Sequence, residues 1–151
     1  MRLTFLGTGT STGVPTLACR CPVCTSSDPR DKRTRPSVLL EFDGRAVVID
    51  TAPDFRQQAL REGMERLDAV LFTHTHADHV LGLDDVRVFY FRQREPIPIY
   101  ASSRSMDDIR RIFCDTCDAL GILYTWNNWK TVSIARAPSV ALLDSFIGPK
   151  A

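Results

Sequence analysis

The chain has 151 residues, of which 44% are hydrophobic, which is enough for one buried core and too little for two ordinary domains. Nineteen Lys and Arg residues balance 18 Asp and Glu residues to a formal net charge of +1, so no overall field favours nucleic acid or an anionic membrane. The residues before Gly7 are too short an apolar stretch for a signal peptide, and no run reaches transmembrane length. With the five cysteines unevenly spread, these features predict a cytoplasmic protein without a membrane partner.

The first third of the chain predicts strands joined by turns. Residues 2–7 form a strand that runs into a glycine-rich loop at 7–15. Two further strands, at 38–42 and 45–50, flank an Asp-Gly pair at 43–44, which is a strong signal for a two-residue hairpin turn. We therefore expect these two strands to pair antiparallel.

After the hairpin, helices and strands alternate. Residues 54–63 contain helix formers and end at a glycine, which predicts a short helix. The apolar run at 69–72 has no polar alternation, as expected of a strand buried on both faces. A short strand at 97–100 precedes a helix for which Ser105 is the predicted N-cap. The fold class is therefore α/β (α+β).

All three histidines of the chain fall within six residues, directly after the last buried strand. In an extended segment His74 and His76 share a face, and a turn after Ala77 brings Asp78 and His79 to a neighbouring point. Imidazole nitrogen and carboxylate oxygen are the ligands that Zn²⁺ takes in catalytic sites. Solvated or core histidines are the alternative, but three histidines with an aspartate at this spacing favour a metal site.

The pattern H-x-H-x-D-H-x-x-G, read as His74, His76, Asp78, His79 and Gly82, resembles the signature of the metallo-β-lactamase superfamily. The resemblance implies the N-terminal half of an αββα sandwich and a dinuclear site. The first two histidines would help to hold one metal and the Asp-His pair a second. It implies zinc, with manganese or iron as alternatives, and hydrolysis by a hydroxide held between the metals, with Asp78 as a catalytic residue.

A narrower likeness rests on three stretches outside the histidines. These are the glycine-rich loop at 7–15, the Cys-x-Cys-x-x-Cys group at 19–24 and Gly-Leu-Asp-Asp at 82–85. They resemble the branch that contains phosphoribosyl cyclic phosphate phosphodiesterase, which implies a small phosphodiester or cyclic-phosphate substrate. Two alternatives stay open. One is a catalytically impaired metal-binding remnant, and the other is a tRNA 3′-processing-type nuclease, to which the near-neutral charge gives little support.

Asp50 ends a buried strand and resembles the family's aspartate that supports the metal site. Such a carboxylate orients a histidine ligand by accepting its distal N–H, and on this interpretation Asp50 belongs to the catalytic machinery. The alternative is an aspartate that caps the turn before Pro53.

Cys19, Cys21 and Cys24 have the spacing of ligands in structural zinc sites. In the resembling branch a distant histidine completes that site, but this chain has no histidine outside the catalytic cluster. Cys114 or Cys117 is the candidate fourth ligand. Three ordinary reduced cysteines are the alternative.

The resemblance also implies ligands that this chain lacks, namely a later histidine for each metal and a bridging aspartate. Beyond residue 113 charges thin out and periodicity is lost. We therefore expect a metallo-β-lactamase-like half at 1–113 and a divergent tail at 114–151, produced by truncation or a shifted reading frame. An incomplete sandwich predicts an exposed apolar sheet face, self-association into a homo-oligomer and poor catalysis.

Overall fold

The computed structural model describes residues 1–119, 125–128 and 131–133, and it divides the chain into two compact units, Met1–Met106 and Asp107–Ala151. The strands of the first unit are β1 (Arg2–Gly7), β2 (Ser37–Phe42), β3 (Arg45–Ile49), β4 (Ala69–Leu71) and β5 (Ile99–Tyr100). The helices are α1 (Pro22–Thr25), α2 (Phe55–Arg61), α3 (Ala77–Val80), α4 (Val86–Gln93) and α5 (Ser103–Ala119), with 3₁₀ turns at Pro29–Asp31 and Leu83–Asp85. In the described part of the chain no helix is long and apolar enough to cross a membrane.

The second unit contains most of α5 and an antiparallel pair of strands, β6 (Thr125–Asn128) and β7 (Thr131–Ser133). The predicted domain boundary after residue 113 falls inside α5, and much of the predicted tail lies outside the described residues. The division at 113 therefore stays a prediction.

The predicted hairpin is confirmed. Strands β2 and β3 pair antiparallel up to Phe42 and Arg45, which leaves a two-residue turn. Asp43 and Gly44 both have positive φ, 49° and 71°, as a type I′ turn requires. The next helix is confirmed as well, since α2 lies within the predicted range and Gly63, just beyond it, has a φ of 61°.

The five strands form one mixed sheet in the order β1-β2-β3-β4-β5. Strands β3, β4 and β5 are parallel, with Val48 paired to Val70 and Val70 to Ile99. Their carboxyl ends therefore lie along one edge of the sheet, where ligand sites of parallel sheets are found. The chain segments that follow β3 and β4 carry Asp50 and the histidines to this edge.

One face of the sheet is the hydrophobic core. Leu39, Val48 and Val70 are neighbours across three strands on this face and are at most 2% exposed. Phe55 of α2 and Phe89 of α4 are also buried, and their ring centroids are 6.4 Å apart. Burying each such side chain contributes about 1.5–3 kcal/mol.

The opposite face of the sheet is open. Cross-strand pairing places Phe5, Val38, Ile49, Leu71 and Tyr100 in one row over all five strands. Phe5, Leu71 and Tyr100 are 64%, 39% and 57% exposed. The expectation that β4 is buried on both faces is therefore wrong at Leu71, which lies on the open face. The predicted exposed apolar face is confirmed, and self-association stays a prediction.

The N-cap prediction for α5 is wrong. Helix α5 begins at Ser103, and the Ser102 Oγ accepts a hydrogen bond from the backbone N–H of Ser105 at 3.2 Å. Ser105 is therefore the third helical residue, and Ser102 is the cap. Serines at positions 102, 103 and 105 are all suitable N-cap residues, so the sequence alone does not determine where the helix begins.

Candidate metal centre

The candidate metal centre lies at the carboxyl edge of the parallel strands. Asp50 directly follows β3, and the segment after β4 leads through Thr73 and His74 to the short helix α3, which carries Asp78 and His79. The backbone N–H of Gly82 donates to the Thr51 carbonyl at 2.9 Å, which ties the end of this segment to the turn after Asp50.

Gly82, the last residue of the histidine motif, is required by close packing. A Cβ at this position would lie 2.1 Å from the Ala52 carbonyl oxygen and 2.9 Å from the Phe55 Cβ. Its φ of −86° is open to any residue, so only the contact demands glycine. The motif's glycine thus lets the histidine segment approach the strand-end turn that carries Asp50.

Asp50 is 5% exposed and adopts a φ of 61°, a left-handed conformation that costs a non-glycine residue about 1–2 kcal/mol. Its Oδ1 accepts from the Thr73 backbone N–H at 2.8 Å. Its Oδ2 lies 2.6 Å from Thr73 Oγ1 and 2.8 Å from His79 Nδ1. Because a carboxylate oxygen only accepts, the His79 Nδ1–H donates and leaves Nε2 available.

Asp50 therefore contacts a histidine of the motif rather than capping the turn before Pro53, which weakens the turn-cap alternative. Its role toward a metal stays a prediction. The sequence alone did not single out Thr73, which contacts both Asp50 and His74. The available signal was its position, a hydroxyl residue between a buried strand and the first histidine.

The four candidate ligands of the motif form two pairs. His74 Nε2 and His76 Nδ1 are 3.2 Å apart, and His79 Nε2 and Asp78 Oδ2 are 3.3 Å apart. Two ligands bound at about 2.0–2.1 Å to a tetrahedral ion are separated by about 3.3 Å. Each pair therefore fits two adjacent corners around one divalent cation, with the pairing that the resemblance implies.

Neither pair has a third ligand among the described residues. No further His, Cys, Asp or Glu side chain there joins a pair with all ligand atoms within 4.8 Å of one another. The rings of His74 and His79 are nevertheless close, with centroids 3.9 Å apart, so the two candidate positions are neighbours. His76 is exposed and His74 half-buried, which leaves the site open to a substrate.

The three cysteines come together at α1. The Sγ atoms of Cys19, Cys21 and Cys24 all lie within 4.8 Å of one another. Sulfur ligands at about 2.3 Å from a tetrahedral Zn²⁺ are separated by about 3.8 Å, so the group fits three corners of such a site. Cys114 lies in the second unit and the side chain of Cys117 lies outside the described residues, so the fourth ligand stays a prediction.

The cysteine group contains one acidic thiol. A hydrogen bond from the backbone N–H of Cys24, with further hydrogen bonds from the thiols of Cys19 and Cys24, lowers the pKa of Cys21 to about 7. The Thr16 backbone N–H acts to lower the pKa of Cys24, but the Cys19 thiol, desolvation and Cys21 outweigh it and raise that pKa. The group therefore has one thiol ready to ionise near neutral pH.

Comparison with known families decides the fold. Residues 45–140 match the family described as the beta-lactamase superfamily domain. The chain belongs to the beta-lactamase superfamily. The resemblance inferred from the histidine motif and the predicted fold class are both confirmed, and the family is one of metal-dependent hydrolases.

Three relatives illustrate the range of the superfamily. An octanoyltransferase of Porphyromonas gingivalis is 52% identical over 111 residues, which are 73% of this chain and 22% of that protein. The crystal structure of a diphosphatase from the PhnP family is 52% identical, with a TM-score of 0.71 over 76% of this chain and 46% of its own. Zn²⁺-bound PqqB from Methylobacterium extorquens is 29% identical, with a TM-score of 0.62 over 75% of this chain and 42% of its own.

The chain thus spans less than half the length of each of these relatives. The fold implies a divalent metal, and the zinc-bound relative supports zinc as the ion. The individual roles of His74, His76, Asp78, His79 and the cysteines stay predictions. The two-pair geometry is compatible with the roles predicted for the histidines and Asp78.

Proposed function

We propose that this chain carries the metal-binding part of a hydrolase that cleaves phosphodiester, cyclic-phosphate or diphosphate bonds. The observation that carries the proposal is the pair of ligand sets with separations of 3.2 and 3.3 Å, backed by a buried carboxylate. The 52% identity to a protein described as a diphosphatase supports phosphate-ester or phosphoanhydride chemistry.

His74 and His76 would hold one divalent ion, and Asp78 and His79 would hold the other. When bound, the ions supply Lewis acidity that activates water and neutralises charge on phosphoryl oxygens. Asp50 fixes the His79 ring through its Nδ1–H and so directs Nε2 toward the ion position. The exposed His76 side leaves room for a small anionic substrate.

A second candidate function is metal binding without turnover. The sequence has three histidines, all of them in the motif, so each candidate ion has two described protein ligands instead of the three usual in catalytic zinc sites. Water would fill the other corners, and both metal affinity and turnover would be low. This shortfall specifically favours the catalytically impaired alternative.

The two functions are separated by assays on the chain reconstituted with Zn²⁺ or Mn²⁺. Substrates are bis(p-nitrophenyl) phosphate, 2′,3′-cyclic AMP and a dinucleoside diphosphate. The first function predicts turnover that His76→Ala and EDTA abolish. Arg66→Ala, which removes an exposed arginine that pairs with the half-buried Asp68, is the control and should keep that turnover.

Metal uptake that depends on His76, with no turnover of any of the three substrates, would favour the second function. Absence of metal uptake in both the unmodified chain and His76→Ala would contradict both. Turnover that survives His76→Ala and EDTA would show that the histidine pairs do not carry the reaction.

A further inference from the structure

The Thr73 hydroxyl lies between the buried carboxylate and the first histidine of the motif. Its Oγ1 is 2.6 Å from Asp50 Oδ2 and 2.9 Å from His74 Nδ1. We infer that Thr73 is a positioning residue that relays the orienting effect of Asp50 to His74, so that one carboxylate sets the ring tautomer of one histidine in each ligand pair. The effect of this relay on metal binding rests on the proposed function, whereas the relay itself rests on the hydrogen bonds.

The direction of each hydrogen bond follows from proton counting. The carboxylate of Asp50 has no proton to give, so the Thr73 hydroxyl donates its single proton to Oδ2. The Thr73 Oγ1 then has only lone pairs left for His74, so the His74 Nδ1–H is the donor in their 2.9 Å contact. His74 is thereby held as the tautomer whose Nε2 is unprotonated.

The same carboxylate acts directly on the second pair. Oδ2 also accepts from His79 Nδ1–H at 2.8 Å, which orients the ring with its Nε2 toward Asp78 Oδ2. Both Nε2 atoms then face their partner ligands, His76 Nδ1 at 3.2 Å and Asp78 Oδ2 at 3.3 Å. Asp50 thus prepares one nitrogen in each pair for a cation, directly for His79 and through Thr73 for His74.

The direct contact of Asp50 with His79 and its indirect contact with His74 can be removed separately. Thr73→Val keeps the side-chain shape and the backbone N–H that donates to Asp50 Oδ1, and it removes only the hydroxyl. The contact between His79 and Asp50 does not involve that hydroxyl. The relay therefore predicts that Thr73→Val affects His74 and spares His79, whereas a merely structural role for Thr73 predicts that both rings change together or neither does.

The test is NMR of the metal-free chain with ¹⁵N-labelled histidine, at about pH 8, where an ordinary imidazole is neutral. Two-bond correlations of the rings identify which nitrogen carries the proton. In the unmodified chain His74 and His79 should both be Nδ1–H tautomers. In Thr73→Val only His74 should lose this preference, and Thr73→Ser, which keeps the hydroxyl, should restore it.

A second measurement is Zn²⁺ titration of the same three proteins. Loss of a group that orients a ligand typically lowers metal affinity about 10–100-fold. We expect this loss for binding at the His74–His76 pair in Thr73→Val, and recovery in Thr73→Ser. An Nε2–H His74 in the unmodified chain, or a Thr73→Val protein with an unchanged His74 tautomer, overturns the relay.

These outcomes are independent of hydrolysis. If the phosphatase assays fail while the His74 tautomer follows the hydroxyl at position 73, the proposed function is wrong and the relay stands. If turnover is found and the tautomer ignores the hydroxyl, the reverse holds. A Thr73→Val protein that does not fold would show both His74 and His79 altered; the tautomer of His74 in the unmodified chain then decides, because an Nε2–H ring there overturns the relay.

Discussion

The histidine cluster and the cysteine group both offer closely spaced metal ligands, but they are held in different ways. A buried carboxylate supports the histidine segment through hydrogen bonds, since Asp50 is 5% exposed and contacts both Thr73 and His79. Cys19 and Cys21 are exposed beside a helix of only four residues. Hydrogen bonds from the buried core therefore orient the histidine side chains before any ion binds, whereas the cysteine side chains are held only by local hydrogen bonds.

This contrast has an energetic consequence. A site whose ligands are already oriented loses little conformational freedom when an ion binds. A site of exposed side chains gains its order from the ion, so its metal contributes more to folding free energy. We therefore expect changes at Asp50 or Gly82 to act on the histidine site, and changes at the cysteines to act on local stability and zinc content.

The largest expected effect follows from Asp50→Asn. Three donors point at this side chain, and an amide has one acceptor oxygen and a donating NH₂ group that cannot meet the others. We expect metal affinity at the histidines to fall about 10–100-fold, measured by Zn²⁺ titration, with any cysteine-bound zinc unchanged.

The matched control for that prediction is Asp68→Asn. Asp68 also accepts a backbone N–H, from Ala46 at 2.8 Å, but it has no part in the histidine network. Its replacement should leave affinity at the histidines unaltered. Equal affinities for Asp50→Asn and the unmodified chain would show that the buried carboxylate does not prepare the site.

The next effect in size is expected for Gly82→Ala. The added Cβ would meet the Ala52 carbonyl oxygen at 2.1 Å, so the backbone of the histidine segment must move. Overpacking of this kind costs about 1–3 kcal/mol, and we expect both a lower melting temperature and weaker metal binding at the histidines.

Gly63→Ala provides the comparison, because Gly63 has a φ of 61° and a Cβ added there would meet no atom of the described residues within 4 Å. It should lower the melting temperature through backbone strain alone and leave metal affinity unchanged. A Gly82→Ala protein that keeps full metal affinity would mean that the close approach to Ala52 does not position the histidines.

The local parts of the fold and site were predictable from the sequence for identifiable reasons. Asp43 and Gly44 specify their turn by backbone conformation, and the histidine motif that indicated the superfamily is a contiguous segment, which can be recognised without any tertiary information. The apolar run at 69–72 by itself wrongly indicated that Leu71 is buried, because the exposure of this residue depends on what covers the second face of the sheet.

The role of Thr73 was also out of reach, because its contacts combine Asp50, 23 residues earlier, with the neighbouring His74. Sequence patterns name candidate ligands well because the chemistry of a side chain is local. They do not give hydrogen-bond direction between distant segments, and this is what distinguishes a ligand from the group that orients it.

A smaller effect is expected for Cys21→Ser. If the cysteine group holds a structural zinc, this variant should lose that zinc and part of the folding free energy, and it should keep any metal at His74 and His76. Zinc content and thermal denaturation measure the two consequences. Cys114→Ser is the control in zinc-loaded protein and should keep the zinc if Cys114 is not a ligand. A loss of zinc equal to that of Cys21→Ser would identify Cys114 as the fourth ligand. Unchanged zinc and melting temperature in Cys21→Ser would favour three ordinary cysteines.

The smallest effect concerns thiol reactivity in the metal-free chain. The pKa of Cys21 is lowered to about 7, whereas that of Cys24 is raised, and only the thiolate is the nucleophile. The thiolate fraction of Cys21 increases as the pH rises through about 7, so its alkylation by iodoacetamide should accelerate between about pH 6 and pH 8. Cys24 should react more slowly throughout this range. Peptide mass spectrometry after short exposures measures both rates in one protein, and Zn²⁺ should suppress them together if the thiols bind it. Faster labelling of Cys24 than of Cys21 at pH 7 would contradict the hydrogen-bonded arrangement of the group. It would then also contradict the contrast between cysteines held by local hydrogen bonds and histidines oriented by a buried carboxylate.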